Sequence, residues 1–177
     1  MSLSAELREQ LRERAGFACE FCGVSETDVG GLLTADHFRP RSKGGSDGLD
    51  NLIYCCANCN QYKQDYYPIN DSDPRLWNPR EESTSAHFVE LEDGRIAAIT
   101  PSGEFTIRRL RLNRLPLVGY RKQRRQRAEE MRLLVRYQNS LQLLSEVNGQ
   151  LSELIEEQQQ LLQKQRKILQ ILLERRD

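Results

Sequence analysis

The sequence has no long apolar run. Its uncharged hydrophobic stretches fall far short of the ~20 residues that a helix needs to cross a bilayer, and MSLSAELREQ at the start contains no segment of signal-peptide type. The chain is therefore expected to be neither membrane-spanning nor secreted, and to work in a reducing, cytoplasmic compartment. Histidine is scarce: His37 and His87 are the only two, so imidazole chemistry is confined to two positions. Proline is absent after Pro116, which leaves the C-terminal stretch without the residue most hostile to a helix. Net charge is absent too, with 26 Lys+Arg against 26 Asp+Glu in 177 residues.

That neutrality is an average over unlike pieces. Residues 1–80 carry 9 basic and 12 acidic groups, residues 81–115 carry 5 and 6, and residues 116–177 carry 12 and 8. From Arg108 to Arg136, eleven basic residues stand against Glu129 and Glu130 alone, a net +9 over 29 residues. A field of that strength fits either a grip on a polyanion or the solvated face of a long helix.

The pattern along the chain predicts an α+β fold in three parts, residues 1–80, 81–115 and 116–177. Leu3, Leu7 and Leu11 recur at a spacing of four and predict a short amphipathic helix from Leu3 to Arg14. Residues 17–67, dense in Cys, Gly, Asp and Asn, predict strands and loops ahead of one helix from about Asn58. Pro68 to Pro79 reads as irregular. His87–Leu91 and Ile96–Thr100 flank Asp93-Gly94, a hairpin signal. A short helix carrying Ile107, Leu110 and Leu112 is expected next, and Asn113 with Pro116 marks the start of another.

From Leu117 to Arg176 the composition is that of a long helix, which would extend ~90 Å at ~1.5 Å per residue. Steps of three and four select Leu134, Tyr137, Leu141, Leu144, Asn148, Leu151, Ile155, Gln158, Leu162, Gln165, Leu169 and Leu172, nine of them apolar or aromatic. This favours a coiled coil. A second column, Leu133, Val147, Leu154, Leu161 and Ile168, widens the face, so the order of assembly stays open, as does packing on a helical partner through residues 133–173. Asn148 suits a register-fixing seam position, whereas Asn148-Gly149 also suits a turn that would fold the segment into a hairpin.

The strongest chemical signal is Cys19-x-x-Cys22 with Cys56-x-x-Cys59. Four thiolates in two close pairs converge readily on one tetrahedral structural zinc. Cys55, beside a ligand in Leu52-Ile53-Tyr54-Cys55, reads as a small buried strand residue rather than a nucleophile.

Between the pairs lie Asp36-His37, the basic Gly44-Gly45 loop and Asp50-Asn51-Leu52, and Asn60 follows Cys59 at once. In this order, over about Arg12 to Lys63, the sequence resembles the HNH endonuclease family. Trp77-Asn78-Pro79-Arg80, His87-Phe88, Thr100-Pro101-Ser102-Gly103 and Leu112-Asn113-Arg114 also resemble a segment that follows HNH domains in some bacterial proteins. The resemblance implies a small ββα-metal domain buttressed by zinc, a β-hairpin extension and a long C-terminal helix.

It also implies roles. Phosphodiester hydrolysis needs a base to activate water and a cation to stabilise charge on the phosphate and leaving oxygen. His37 is the expected general base, Asp36 and Asn60 the oxygen ligands of a catalytic divalent ion, and Asn51 the residue that bonds across the strand turn and orients His37. Many family members have His where this chain has Asn60, and an amide oxygen there shifts the preference toward Mg²⁺ or Mn²⁺. The implied products are a 5′-phosphate and a 3′-hydroxyl. The implied substrate is DNA, with RNA left open. By charge, Arg39, Arg41, Lys43 and Lys63 are expected to grip its phosphates near the cut, and Arg108, Arg109, Arg121, Arg124 and Arg125 to lie along the duplex outside it. No base-reading module is evident. The expected function is an oligomeric or partner-recruited nuclease, for instance an anti-phage defence effector. A catalytically weak zinc module that binds nucleic acid within a larger complex is the alternative. His87 and Trp77 are expected to be structural.

Overall fold

A computed structural model describes residues 3–174, with side chains to residue 170. Ser4 accepts a hydrogen bond from Leu7 N at 3.2 Å and opens helix α1 (Ala5–Arg14). The leucine stripe then has a face to cover: Leu11 is fully buried with Leu52 and Tyr54, and Leu3 and Leu7 pack at the edge of that cluster. A helical turn not expected from the sequence, α2 (Glu26–Val29), is nucleated by a capping box in which Ser25 and Asp28 satisfy each other's backbone N–H groups.

Strands β1 (Thr34–His37) and β2 (Leu52–Cys55) pair antiparallel, with Asp36 opposite Ile53 and His37 opposite Leu52. Helix α3 (Ala57–Lys63) follows, one residue earlier than expected because Cys56 is its N-cap. After an irregular stretch come α4 (Thr84–His87), the antiparallel hairpin β3 (Phe88–Glu90) and β4 (Ile96–Ala98), and α5 (Pro101–Arg109), which is capped by Thr100 and has Pro101 in its first turn. His87 closes α4 instead of opening the hairpin. Leu110 and Leu112 lie just beyond α5, since Arg111 adopts a left-handed φ of 48° and ends the helix, yet both leucines are buried.

Trp77, Phe88, Leu110, Leu112 and Leu117 share one core cluster with Phe21, Ile53 and the cysteines. Trp77 joins it edge-on to Phe88 at 5.2 Å and to Phe21 at 6.4 Å. Burying an aromatic of that size contributes on the order of 2–3 kcal/mol, so residues on both sides of position 80 depend on the same interior.

Two units are distinguished, Met1–Arg125 and Gln126–Asp177. Helix α6 (Leu115–Glu174) runs unbroken through Asn148-Gly149, so the hairpin alternative is not adopted. A single helical glycine costs only ~1 kcal/mol, and the strong helix formers around it outweigh that. Within the second unit, Leu134, Leu141, Leu144, Leu151, Ile155, Leu162 and Leu169 are all exposed. The side chain of Leu172 lies outside the described residues. Among the described residues no helix is long and apolar enough to cross a membrane.

Candidate active site and zinc centre

Two tight turns build the cysteine cluster. Gly23, at φ 76°, lets its N–H reach Cys19 O at 2.7 Å while Cys19 N bonds Val24 O at 2.9 Å, which folds Cys19 and Cys22 toward one point. Cys56 caps α3 and Cys59 sits one turn on. All four side chains are buried and their sulfurs lie within 4.8 Å of one another. Cys22 Sγ and Cys56 Sγ are 3.7 Å apart, close to the ~3.8 Å edge of a tetrahedron with ~2.3 Å zinc–sulfur bonds. The site fits a structural zinc.

The sulfurs titrate as one unit: hydrogen bonds from Cys19, Cys22 and Cys59 hold the Cys56 thiol low, and hydrogen bonding, led by Cys19, pushes Cys59 up. Arg114 Nη2 approaches Cys59 Sγ at 3.9 Å and Cys56 Sγ at 4.0 Å. Burial, the largest influence, pulls its guanidinium down, but the negative charge of the sulfur cluster and the hydrogen bond to Cys59 together outweigh burial and leave its pKa raised. Cys55 stands apart from the cluster. Its sulfur is 3.8 Å from Thr34 Oγ1, and burial pushes its thiol up, as suits an inert interior residue.

The β1–β2 connection is shaped by Asn51. Its Oδ1 accepts from Arg39 N at 2.8 Å, and its Nδ2 donates to Arg39 O at 3.0 Å and to Ser46 O at 2.8 Å. Phe38 N in turn bonds Asn51 O at 2.8 Å. A side chain on Gly45 would collide with Arg39 O and the Asn51 amide, which is why glycine stands there. Asn51 does not touch the His37 ring. It fixes the loop that does.

His37, at the end of β1, has a largely buried ring whose Nε2 lies 2.7 Å from Asp47 Oδ1. Arg41 clamps the same carboxylate through Nε at 2.6 Å and Nη2 at 2.8 Å. Arg41 and then His37 hold the Asp47 carboxyl below the usual carboxylate range. On the neighbouring residue, Asp36 Oδ2 is buried without a well-directed hydrogen bond and has the Lys63 ammonium 2.9 Å away. Asn60, one turn before Lys63 on α3, lines a cleft of about 420 Å³ with Thr34, Ala35, Tyr54 and, from α1, Arg8 and Arg12.

The basic residues expected to face substrate are placed unevenly. Lys63 is fully buried, its Nζ held by Asp36 and by His37 O at 2.7 Å, so it does not grip phosphate from the surface. Arg121 is also buried, donating to Gly94 O at 3.2 Å and Leu112 O at 2.8 Å, and is a tie within the fold. Arg109 donates to Lys63 O at 3.1 Å and stacks over Tyr66. Arg124 pairs with Glu90 at 2.5 Å, Arg125 donates to Leu91 O at 3.0 Å and Glu92 O at 2.5 Å, and Arg108 lies over Phe105. In the Gly-Gly loop, Arg39 donates to Lys43 O at 2.6 Å and lies over Tyr67, while Lys43 Nζ reaches Tyr67 O at 3.1 Å. Arg39 and Arg41 remain exposed.

His87 is buried, with Nδ1 2.6 Å from Thr100 Oγ1 and 3.0 Å from Ser102 Oγ. Thr100 caps α5, so His87 completes a capping network.

Sequence reasoning passed over Asp47 and Arg114. For Asp47 the available signal was its place in the loop behind the two glycines. For Arg114 the signals are its place in the basic stripe from Arg108 to Arg136 and in the Leu112-Asn113-Arg114 run, neither of which points to a sulfur.

Comparison with known proteins agrees with the geometry: the family model described as HNH endonuclease matches residues 19–65. That span holds the four cysteines, β1, β2 and α3, so the cysteine-framed ββα segment is an HNH domain within an α+β chain. No curated protein and no solved structure gives a match.

Proposed function

We propose that this protein is a metal-dependent HNH endonuclease that hydrolyses phosphodiester bonds in DNA with His37 as general base. The observation that carries this reading is the ring of His37, pinned to Asp47 beside Asp36 inside the zinc-framed domain. A neutral imidazole takes a proton near pH 7, and the ring's fixed position supplies the orientation on which such a transfer depends.

Asp36 and Asn60 are the oxygen donors for Mg²⁺ or Mn²⁺. The fit rests on Asp36 Oδ2, a buried oxygen left without a hydrogen bond, and on the hard amide oxygen that Asn60 offers. When bound, the ion stabilises charge on the phosphate and the leaving oxygen. Asn51 keeps the loop closed around His37, and Arg39 and Arg41 are the exposed cations nearest in sequence to the base. Arg108, Arg109, Arg124 and Arg125 add positive field while serving contacts of their own.

The exposed apolar face of α6 supports assembly as a coiled coil, or recruitment by a helical partner through residues 133–173, in a cytoplasmic setting such as anti-phage defence. Two active sites on one particle would allow paired nicks.

The test is cleavage of supercoiled plasmid with Mg²⁺, Mn²⁺ or EDTA, comparing the intact protein with His37→Ala. Cleavage that needs both metal and His37 upholds the reading. One observation favours a binding-only zinc module, namely the Lys63 ammonium already seated on Asp36. DNA retention in a gel by zinc-loaded protein that never cleaves, with or without His37, would select that alternative.

A further inference from the structure

Asp47 is ten residues from His37 in sequence and outside the Asp36, His37, Asn51, Asn60 set, yet its carboxylate hydrogen-bonds the ring. Its oxygen Oδ1 receives Arg41 Nε at 2.6 Å and lies 2.7 Å from His37 Nε2. Oδ2 receives Arg41 Nη2 at 2.8 Å. Arginine only donates, so both oxygens act as acceptors and the carboxylate has no proton to offer. Nε2 is then the donor of the histidine contact. A neutral ring carries one N–H, which leaves the lone pair on Nδ1, for which no protein partner is found among the described residues.

We infer that Asp47 is the positioning residue of His37: it fixes the ring with its proton on Nε2 and so makes Nδ1 the atom that accepts the proton from water. This rests on the nuclease reading above. The arrangement is held from behind, because Asn51 Nδ2 bonds Ser46 O at 2.8 Å, immediately before Asp47, and Lys63 Nζ bonds His37 O at 2.7 Å. Ring, peptide and loop are thus fixed by three different side chains. When Nδ1 takes the proton, the ring becomes a cation with an N–H on each nitrogen, and the Asp47 carboxylate lies against the new charge at hydrogen-bond distance. Without Asp47, both tautomers and other ring rotations become available, and only a fraction of molecules present a lone pair in the right place.

The experiment uses ¹⁵N-histidine in the full-length, zinc-loaded protein, with His37 signals assigned by their loss in His37→Ala. The expected result is a single neutral tautomer, Nδ1 at an unprotonated shift and Nε2 at a protonated one. Asp47→Ala should give mixed tautomers and lower kcat on a short DNA duplex about 10- to 100-fold, with KM within about twofold and zinc content unchanged. A wild-type His37 with its proton on Nδ1 overturns the inference whether or not the variant folds. So does Asp47→Ala with unchanged tautomer and kcat. Equal cleavage by intact protein and His37→Ala instead sinks the nuclease reading, and the ring spectra then still decide whether Asp47 sets the tautomer.

Discussion

Lys63 Nζ lies 2.9 Å from Asp36 Oδ2, and the lysine has no solvent exposure at all. The same ammonium donates to His37 O at 2.7 Å and to Gln64 O at 3.4 Å. One buried cation therefore joins α3 to the strand that carries both Asp36 and His37. A charge taken out of water needs compensation; here two backbone carbonyls accept hydrogen bonds from the ammonium and the Asp36 carboxylate supplies the opposite charge.

Lys63→Met should consequently cost stability on the order of 3 kcal/mol, because Asp36 keeps a mostly buried charge with no partner. Adding Asp36→Asn to that variant should restore part of the loss, since the stranded charge is then gone. Urea unfolding of the two variants and the parent, all zinc-loaded, checks this. Equal midpoints for Lys63→Met and the parent would show that the pair is not holding the domain together.

Arg114 predicts the behaviour of the metal centre. Zinc binds thiolates, so acid releases it, and a guanidinium 3.9 Å from Cys59 Sγ favours the deprotonated sulfurs. Arg114→Met removes that charge, the thiols hold their protons more tightly, and zinc is lost at a higher pH than in the parent. A shift of about 0.5 pH unit and a roughly tenfold weaker zinc affinity are expected. Competition with a coloured chelator reads the affinity. Trp77, in the same core cluster as the cysteines, reports unfolding by its emission.

What was legible in the sequence was what depends on local spacing. The C-x-x-C pairs carry their geometry in four residues each, Asp93-Gly94 carries its turn, and the long helix follows from periodicity without proline. Asp36, His37, Asn51 and Asn60 stood out through a resemblance in their order. Asp47 did not, because its contact with His37 exists only after Asn51 has closed the loop at Ser46. Lys63 reads as a surface cation for a different reason: lysine is rarely buried without a partner, and nothing in the local sequence marks Asp36 as that partner. The charge count over residues 108–136 was right as arithmetic but blind to acceptors. It did not anticipate that Arg121 and Arg125 would be spent on the carbonyls of Gly94, Leu112, Leu91 and Glu92.

Gln64 adopts φ 55° and ψ −144°, a region that glycine enters freely and residues with a Cβ enter at a cost of ~1–3 kcal/mol. It is the C-cap of α3, directly after Lys63, and Arg109 reaches both Lys63 O at 3.1 Å and Gln64 Oε1 at 3.3 Å. The first of those bonds survives in Gln64→Gly and the second is exposed. Relief of backbone strain should therefore exceed what is lost, for a net gain of about 1 kcal/mol. A lower urea midpoint for Gln64→Gly would mean that the Gln64 side chain, and not the backbone, sets the balance.

The final prediction concerns the apolar face of α6. Leucines and isoleucines at Leu134, Leu141, Leu144, Leu151, Ile155, Leu162 and Leu169 recur at coiled-coil spacing and are exposed in the single chain. Water-exposed apolar surface on this scale favours association, because each leucine buried contributes on the order of 2 kcal/mol. Full-length protein should therefore scatter light with a mass of at least twice 20.6 kDa. Leu144→Glu combined with Leu151→Glu places two carboxylates in the seam, where neither finds a counter-charge, and should return the mass to one chain. Asn148→Leu should act in the opposite direction, tightening the assembly while loosening its register, since a seam Asn gives up stability for a defined alignment. Zinc content and Trp77 emission should be unaffected by all three changes, which separates loss of assembly from loss of the metal domain. If the unmodified protein is a monomer at tens of micromolar, self-association fails and the face is left to a helical partner. In that case nicking should be isolated rather than paired, because nothing would bring a second active site to the same duplex.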